Sequence, residues 1–180
     1  MRILITLAVL AGLCACGDPE QPKSVDASKE LRPHIEKLYA AWGTLDLTKI
    51  APFYAKETGT AFFDIAPLKY ASWADYAAGF KKGSADWASV TVDISPDFQA
   101  HSNGPIAWAT FTGDFKIVKK DGKVDSGKAR VTEILQRDGK SWLIIHEHVS
   151  VPMMEPAPAP VAKKAVARKA GARKKGARRR

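Results

Sequence analysis

Residues 106–150, IAWATFTGDFKIVKKDGKVDSGKARVTEILQRDGKSWLIIHEHVS, decide the fold. Apolar and polar residues alternate here with a period of two, the period of a strand with one buried face. Strands are expected over 106–119, 128–137 and 141–150. Asp121-Gly122 and Asp138-Gly139 stand between them. Asp-Gly between alternating runs is a strong hairpin signal, because the turn needs positive φ. The segment therefore reads as an antiparallel meander. Just upstream, Val90, Val92 and Ile94 keep the same period and add another strand.

Before residue 88 the period is helical. Leu31, Ile35, Leu38, Tyr39 and Trp42 fall on one helix face, with Pro33 expected in the first turn and Gly43 at the end. A second, short helix is expected over 47–54, and a short strand over 60–65. A third helix should start at Ser72, with Asp75 three residues on and Trp73, Tyr76, Ala77 and Phe80 facing inward. Helices first and long antiparallel strands afterwards predict an α+β domain with its helices on one face of the sheet.

Three stretches carry a family resemblance: LYAAWGTLDLTKIAPFYAKETGTAFFDIAP, HSNGPIAWATFTGDF and RVTEILQRDGKSWLIIHEHVSVP. Over residues 28–153 the chain resembles the nuclear transport factor 2-like superfamily, its SnoaL-like branch in particular. The closing segment, with Trp142 and His146-x-His148-x-Ser150, also resembles the association domain of calcium/calmodulin-dependent protein kinase II. The resemblance implies a cone: a curved antiparallel sheet wrapped around a long N-terminal helix, with an apolar pocket at the open end. The superfamily holds isomerases, cyclases and dehydratases beside binding and oligomerising domains, so fold does not decide function.

The resemblance also implies candidate residues. Tyr39 lies where ketosteroid isomerase-like members place an oxyanion-binding tyrosine, and Asp64 near where they place the general base. In a dry cavity such a pair can move a proton next to a carbonyl. The family's second oxyanion donor, a protonated acid, aligns with Thr132, which cannot play that part. Trp108, Thr110 and Thr112 share one strand face, as do Arg130 and Thr132; by resemblance these look inward. Arg130 would then greet an anionic ligand or pair with Asp64 or Glu147. His146, His148 and Ser150 alternate with Glu147 and Val149. The histidines, with Trp142 and Ile144, are expected to line the cavity or its rim. A His-x-His pair can bind a metal, but no third ligand beyond His101 or Asp64 offers itself, so neither metal nor cofactor is expected.

The two ends of the chain are separate devices. Residues 1–15 hold Arg2 and an apolar run from Ile3 to Leu13, too short to span a bilayer and suited to an export signal. Leu13-Cys14-Ala15-Cys16 resembles a bacterial lipobox, which implies acylation of Cys16. Residues 16–27 read as a flexible tether. After a Pro-Ala spacer over 154–162 comes a basic tail expected to be disordered. Its charges are Lys163, Lys164, Arg168, Lys169, Arg173, Lys174, Lys175, Arg178, Arg179 and Arg180. They account for the formal net charge of +9, since residues 17–162 carry 17 basic against 19 acidic residues.

The expected protein is thus a lipoprotein of the bacterial envelope, on the periplasmic face of the outer membrane. Its domain would hold a small apolar or amphipathic molecule or pair with a second copy. Its tail would rest on an anionic membrane or cell-wall surface, at about 1 kcal/mol per basic residue. Isomerase or dehydratase chemistry through Asp64 and Tyr39 is the alternative. Binding of nucleic acid through the tail is a third reading, against which the export signal argues.

Overall fold

The computed structural model describes residues 23–57 and 59–152. The export segment, Cys16, the Pro-Ala spacer and the basic tail lie outside the described residues.

Helix α1 spans Ser28–Gly43. It begins earlier than Pro33 suggests, because Asp26 accepts a hydrogen bond from the Ser28 amide at 2.8 Å. Pro33 therefore sits inside the helix, on its exposed side, where a lost backbone bond can be replaced by water. Leu31, Ile35 and Leu38 form the fully buried stripe. Helix α2 is shorter than expected, Leu47–Ile50, capped by Asp46; Pro52 falls in a 3-10 turn over Ala51–Phe53. Helix α3 spans Trp73–Gly83 and is capped by Ser72, whose hydroxyl accepts from the Asp75 amide at 3.1 Å.

One curled, unclosed sheet packs against these helices. Its strands are β1 (Val25–Asp26), β2 (Ala61–Phe63), β3 (Trp87–Ile94), β4 (Gln99–Asn103), β5 (Ile106–Lys119), β6 (Val124–Asp138) and β7 (Ser141–Ser150). The order is β1-β4-β5-β6-β7-β2, and β3 also pairs with β5 beyond the end of β4. Pairing is antiparallel except between β2 and β7. The turns at Gly122 and Gly139 have φ of 85° and 57°, as the Asp-Gly signals require. Two strands were not expected. Val25–Asp26 falls within the expected tether but pairs with β4, so sheet structure begins before residue 28. The short, polar β4 has too little alternation to be read in advance.

The concave face carries Ala107, Ala109 and Phe111 of β5, and Val131, Glu133 and Leu135 of β6, all buried. On β7 the alternation breaks. Ile134 pairs with His146 and Leu135 with Ile144, which leaves Ile145 as an extra residue, a β-bulge. Trp142 and Ile144 face the core before the bulge, Glu147 and Val149 after it. The closed end of the cone is fastened by Glu30, which accepts from Trp142 Nε1 at 2.9 Å and from Arg137 at 3.0 Å. Arg137 also lies over the Trp142 ring, 4.0 Å from its centroid.

Deleting Ile145 removes the bulge but keeps the faces: Trp142 and Glu147 are then four positions apart, so Trp142, Ile144, Glu147 and Val149 all stay on the core side of an unbroken alternation. Ile145→Ala keeps the bulge and trims one half-exposed side chain. Urea unfolding should stay cooperative for the deletion, with a loss within about 1.5 kcal/mol of the alanine variant's. Loss of cooperativity, or an extra cost of at least about 3 kcal/mol, would mean that Ile145 is not the residue that exchanges the faces of β7.

A buried carboxyl pair beneath an apolar cavity

Leu31, Ile35 and Leu38 fill the closed end of the cone. Toward the open end, α1 presents Tyr39 and Trp42 instead, and these rings stand beside a cavity of about 370 Å³. That volume suits a small organic ligand. Its walls come from three sources: Tyr76, Gly79 and Phe80 of α3; Val90 and Val92 of β3; and Phe115, Ala129, Val131 and Val149 of the sheet. Asp64, Ile65, Ala66 and Tyr70 border it from the segment between β2 and α3. Tyr70 rests against α3 at Gly79, where a Cβ would overlap its ring.

The polar atoms of this region are concentrated around two carboxyl groups. Glu133 and Glu147 are direct partners across β6 and β7, and they are 0% and 2% exposed. Glu147 borders the cavity. It accepts hydrogen bonds from Tyr54 at 2.9 Å and Tyr76 at 3.1 Å, and those two hydroxyls stand 3.4 Å apart. Glu133 accepts one from Tyr39 at 3.2 Å, and its other oxygen is buried without a partner. Ala109, opposite Glu133 on β5, is small enough to leave it room.

Among the described residues no ion pair involves Asp64, Glu133 or Glu147. Burial without a counter-charge disfavours ionisation. It lifts the Glu147 carboxyl to about 7, against the pull of the two phenols that stabilise its anion. Burial, then the neighbouring Glu147 charge, holds Glu133 well above the ordinary range. Asp64 is raised too, chiefly by burial, although it accepts the Ile65 amide at 2.7 Å. Tyr39, Tyr54 and Tyr76 are kept protonated by burial and by the adjacent carboxyls. The site thus holds Glu133 biased toward its neutral form, a Glu147 poised to gain or lose a proton near neutral pH, and hydroxyl donors on both.

Tyr39 and Asp64, expected at the cavity, both border it. The other expected lining residues do not. Thr110, Thr132 and His148 lie in one cross-strand row, and Trp108, Ile134 and His146 in the next; both rows are on the face opposite Glu133. The physical reason is the inner face of the cone: it is covered by α1 and must be apolar, so Ala107, Ala109 and Phe111 claim it over Trp108 and Thr110. Arg130 is exposed and donates to the Val151 carbonyl at 3.1 Å, with neither Asp64 nor Glu147 as partner. His146 bonds the Ala61 carbonyl at 2.7 Å, while Phe63 stands edge-on to both His146 and His148. His101 stacks on Trp108. Glu147 and Val149, expected to face away, point inward because the bulge exchanges the faces of β7.

Glu133 and Glu147 were missed. A signal for Glu133 was present: it stands in the row Ala129, Val131, Glu133, Leu135, whose other members are small or apolar. An acid within an apolar row is either paired or functional. No comparable signal existed for Glu147, whose face depends on the bulge.

The carboxyls make stability depend on pH. A carboxyl whose pKa rises on folding contributes fully below its unfolded value near 4.5, and that contribution is lost as pH rises through about 7. His34, pushed below its ordinary value mainly by burial, acts in the opposite sense over this interval. Wild type and Glu147→Gln must therefore be compared. Between pH 5 and pH 8 the variant should gain roughly 2–3 kcal/mol relative to wild type in urea unfolding. A constant difference across that range would show that Glu147 does not carry a raised pKa.

Comparison with known proteins agrees with this architecture. No curated protein matches the chain in sequence. Among solved structures, a nuclear transport factor 2-like superfamily protein from Salmonella enterica superposes with a TM-score of 0.63 at 20% identity, covering 76% of this chain and 96% of its own. A protein of the same superfamily from Pseudomonas putida gives 0.60 at 25% identity, covering 71% and 88%. The association domain of the Caenorhabditis elegans calcium/calmodulin-dependent protein kinase II gives 0.55 at 13% identity, covering 68% and 95%. The SnoaL-like domain family matches residues 33–154, and the chain belongs to that family.

Proposed function

We propose that this protein binds a small apolar or amphipathic molecule in the cavity between α1, α3 and the concave face of the sheet. The observation that carries the reading is the cavity: about 370 Å³, walled mainly by aromatic and aliphatic side chains, with ionisable groups confined to a few points. Apolar walls supply affinity in proportion to the area they cover, and sparse polar groups orient the ligand. The lipobox at Cys16 and the basic tail support a place at the bacterial envelope, with the tail on an anionic surface. Pairing with a second copy is supported by the likeness to an association domain and by Trp108, Ile134 and Phe63, part-exposed on the outer side of the sheet. Loss of fatty-acid labelling in Cys16→Ala checks the anchor, and a solution mass of twice the chain checks the pairing.

The second reading is proton transfer next to a carbonyl, as in an isomerase or dehydratase. One arrangement favours it. Glu133, an acid that burial biases toward its neutral form, is within hydrogen-bond reach of Tyr39, one residue from the position where the resemblance seeks such an acid. It does not border the cavity, so it would act through the Tyr39 hydroxyl. Asp64, or Glu147 with its pKa near the working pH, would be the base.

Both readings meet in one experiment. Ala129→Phe places a ring in the cavity, and binding of an adamantyl methyl ketone, read from the fluorescence of Trp42 and Trp87, should weaken at least tenfold. Unchanged affinity would place binding elsewhere. In deuterated water, exchange of the ketone's methyl hydrogens in wild type, reduced at least about 100-fold in Asp64→Asn or Glu147→Gln, would establish the catalytic reading. Binding without exchange leaves the binding reading standing.

A further inference from the structure

The charges around the cavity have one sign. The ionisable acids bordering it are Asp64, Asp125 and Glu147, and no lysine, arginine or histidine borders it among the described residues. Asp125 has its own partner, Lys119 at 2.9 Å. Asp64 and Glu147 have no ion pair among the described residues. The cavity's aromatic lining includes Trp42, Tyr70, Tyr76 and Phe80, of which Tyr76 donates to Glu147. Across the strand pair from Glu147 stands a second carboxyl, Glu133, with one buried oxygen that has no hydrogen-bond partner among the described residues.

A cavity built this way treats ligands unequally. A carboxylate or phosphate would enter a dry site beside two acids with no cation to receive it. A neutral apolar molecule would fit, but would leave the Glu147 charge uncompensated. An ammonium group would supply the missing counter-charge, and aromatic rings attract it further when it is desolvated. We infer that the cavity takes a hydrophobic organic cation, a protonated or quaternary amine on an apolar body, with Glu147 and Asp64 as its counter-charges. The inference rests on the binding reading above and narrows it to a ligand class.

The groups facing Glu147 are Tyr39 of α1, Tyr54 after the 3-10 turn, Tyr76 of α3, Glu133 of β6 and Asp64 after β2. The three phenols stay protonated, Asp64 and Glu133 are raised by burial, and Glu147, lifted to about 7, changes its charge around neutral pH. Cation binding should therefore strengthen as pH rises through about 7.

Three probes with one apolar body test this: adamantane-1-methylamine, adamantane-1-methanol and adamantane-1-carboxylate, titrated by calorimetry into the protein at pH 6 and pH 8. The amine is expected to bind at least tenfold more tightly than the alcohol at pH 8, and the carboxylate most weakly. The amine's advantage should shrink at least threefold at pH 6. Glu147→Gln should remove most of that advantage, and Asp64→Asn should reduce it. If Glu147→Gln does not fold, the pH series on wild type and the Asp64→Asn variant carry the test. Alcohol and amine binding equally well would overturn the cation inference and leave the binding reading in place. Failure of all three probes to bind would overturn both.

Discussion

Two carboxyl groups face each other across neighbouring strands inside a protein interior, with no cation paired to them among the described residues. This is the constraint around which the open end of the molecule is arranged. Ionising both in a low-dielectric site would be prohibitive, so at least one stays neutral and hydroxyl donors must surround the pair. Tyr39, Tyr54 and Tyr76 come from three different elements to provide those donors. The same phenols tie α1, the 3-10 turn and α3 to the last two long strands. The polar network therefore fixes the helices over the sheet as well as tuning the acids.

The network depends on one irregularity. Were the strand to alternate regularly through Ile145, residues 142 and 147, five positions apart, would face opposite sides, the ring inward and the acid outward. With the bulge, Trp142 and Ile144 complete the closed end of the cone, and Glu147 and Val149 face the open end. Bulges of this kind re-aim side chains next to functional sites at the cost of locally broken pairing. Here the bulge also separates two tasks along one strand, core packing first and cavity lining afterwards.

Much of the architecture was legible because its signals are local. The 106–119 and 141–150 strands coincide with their expected limits, since alternation and Asp-Gly turns specify them without help from the rest of the chain. The stripe Leu31, Ile35, Leu38 likewise announced the central helix. The site was less legible, for reasons that differ residue by residue. Tyr39 and Asp64 were found at the cavity through family resemblance. Family resemblance alone directed Thr110, Arg130 and Thr132 inward, but a sheet covered by a helix turns its polar row outward. His146 and His148 depended on a strand register that side-chain pattern alone does not determine, because the bulge exchanges faces partway along.

The contact between Tyr70 and Gly79 bears on how such a binding chamber could diversify. The aromatic ring occupies the space that any larger residue at position 79 would claim. A single added methyl would therefore push Tyr70 away from α3 and reshape the chamber's boundary, while leaving the carboxyl pair untouched. Selection for bulkier or slimmer guests could act at that boundary by small steps, with the ionisable machinery preserved.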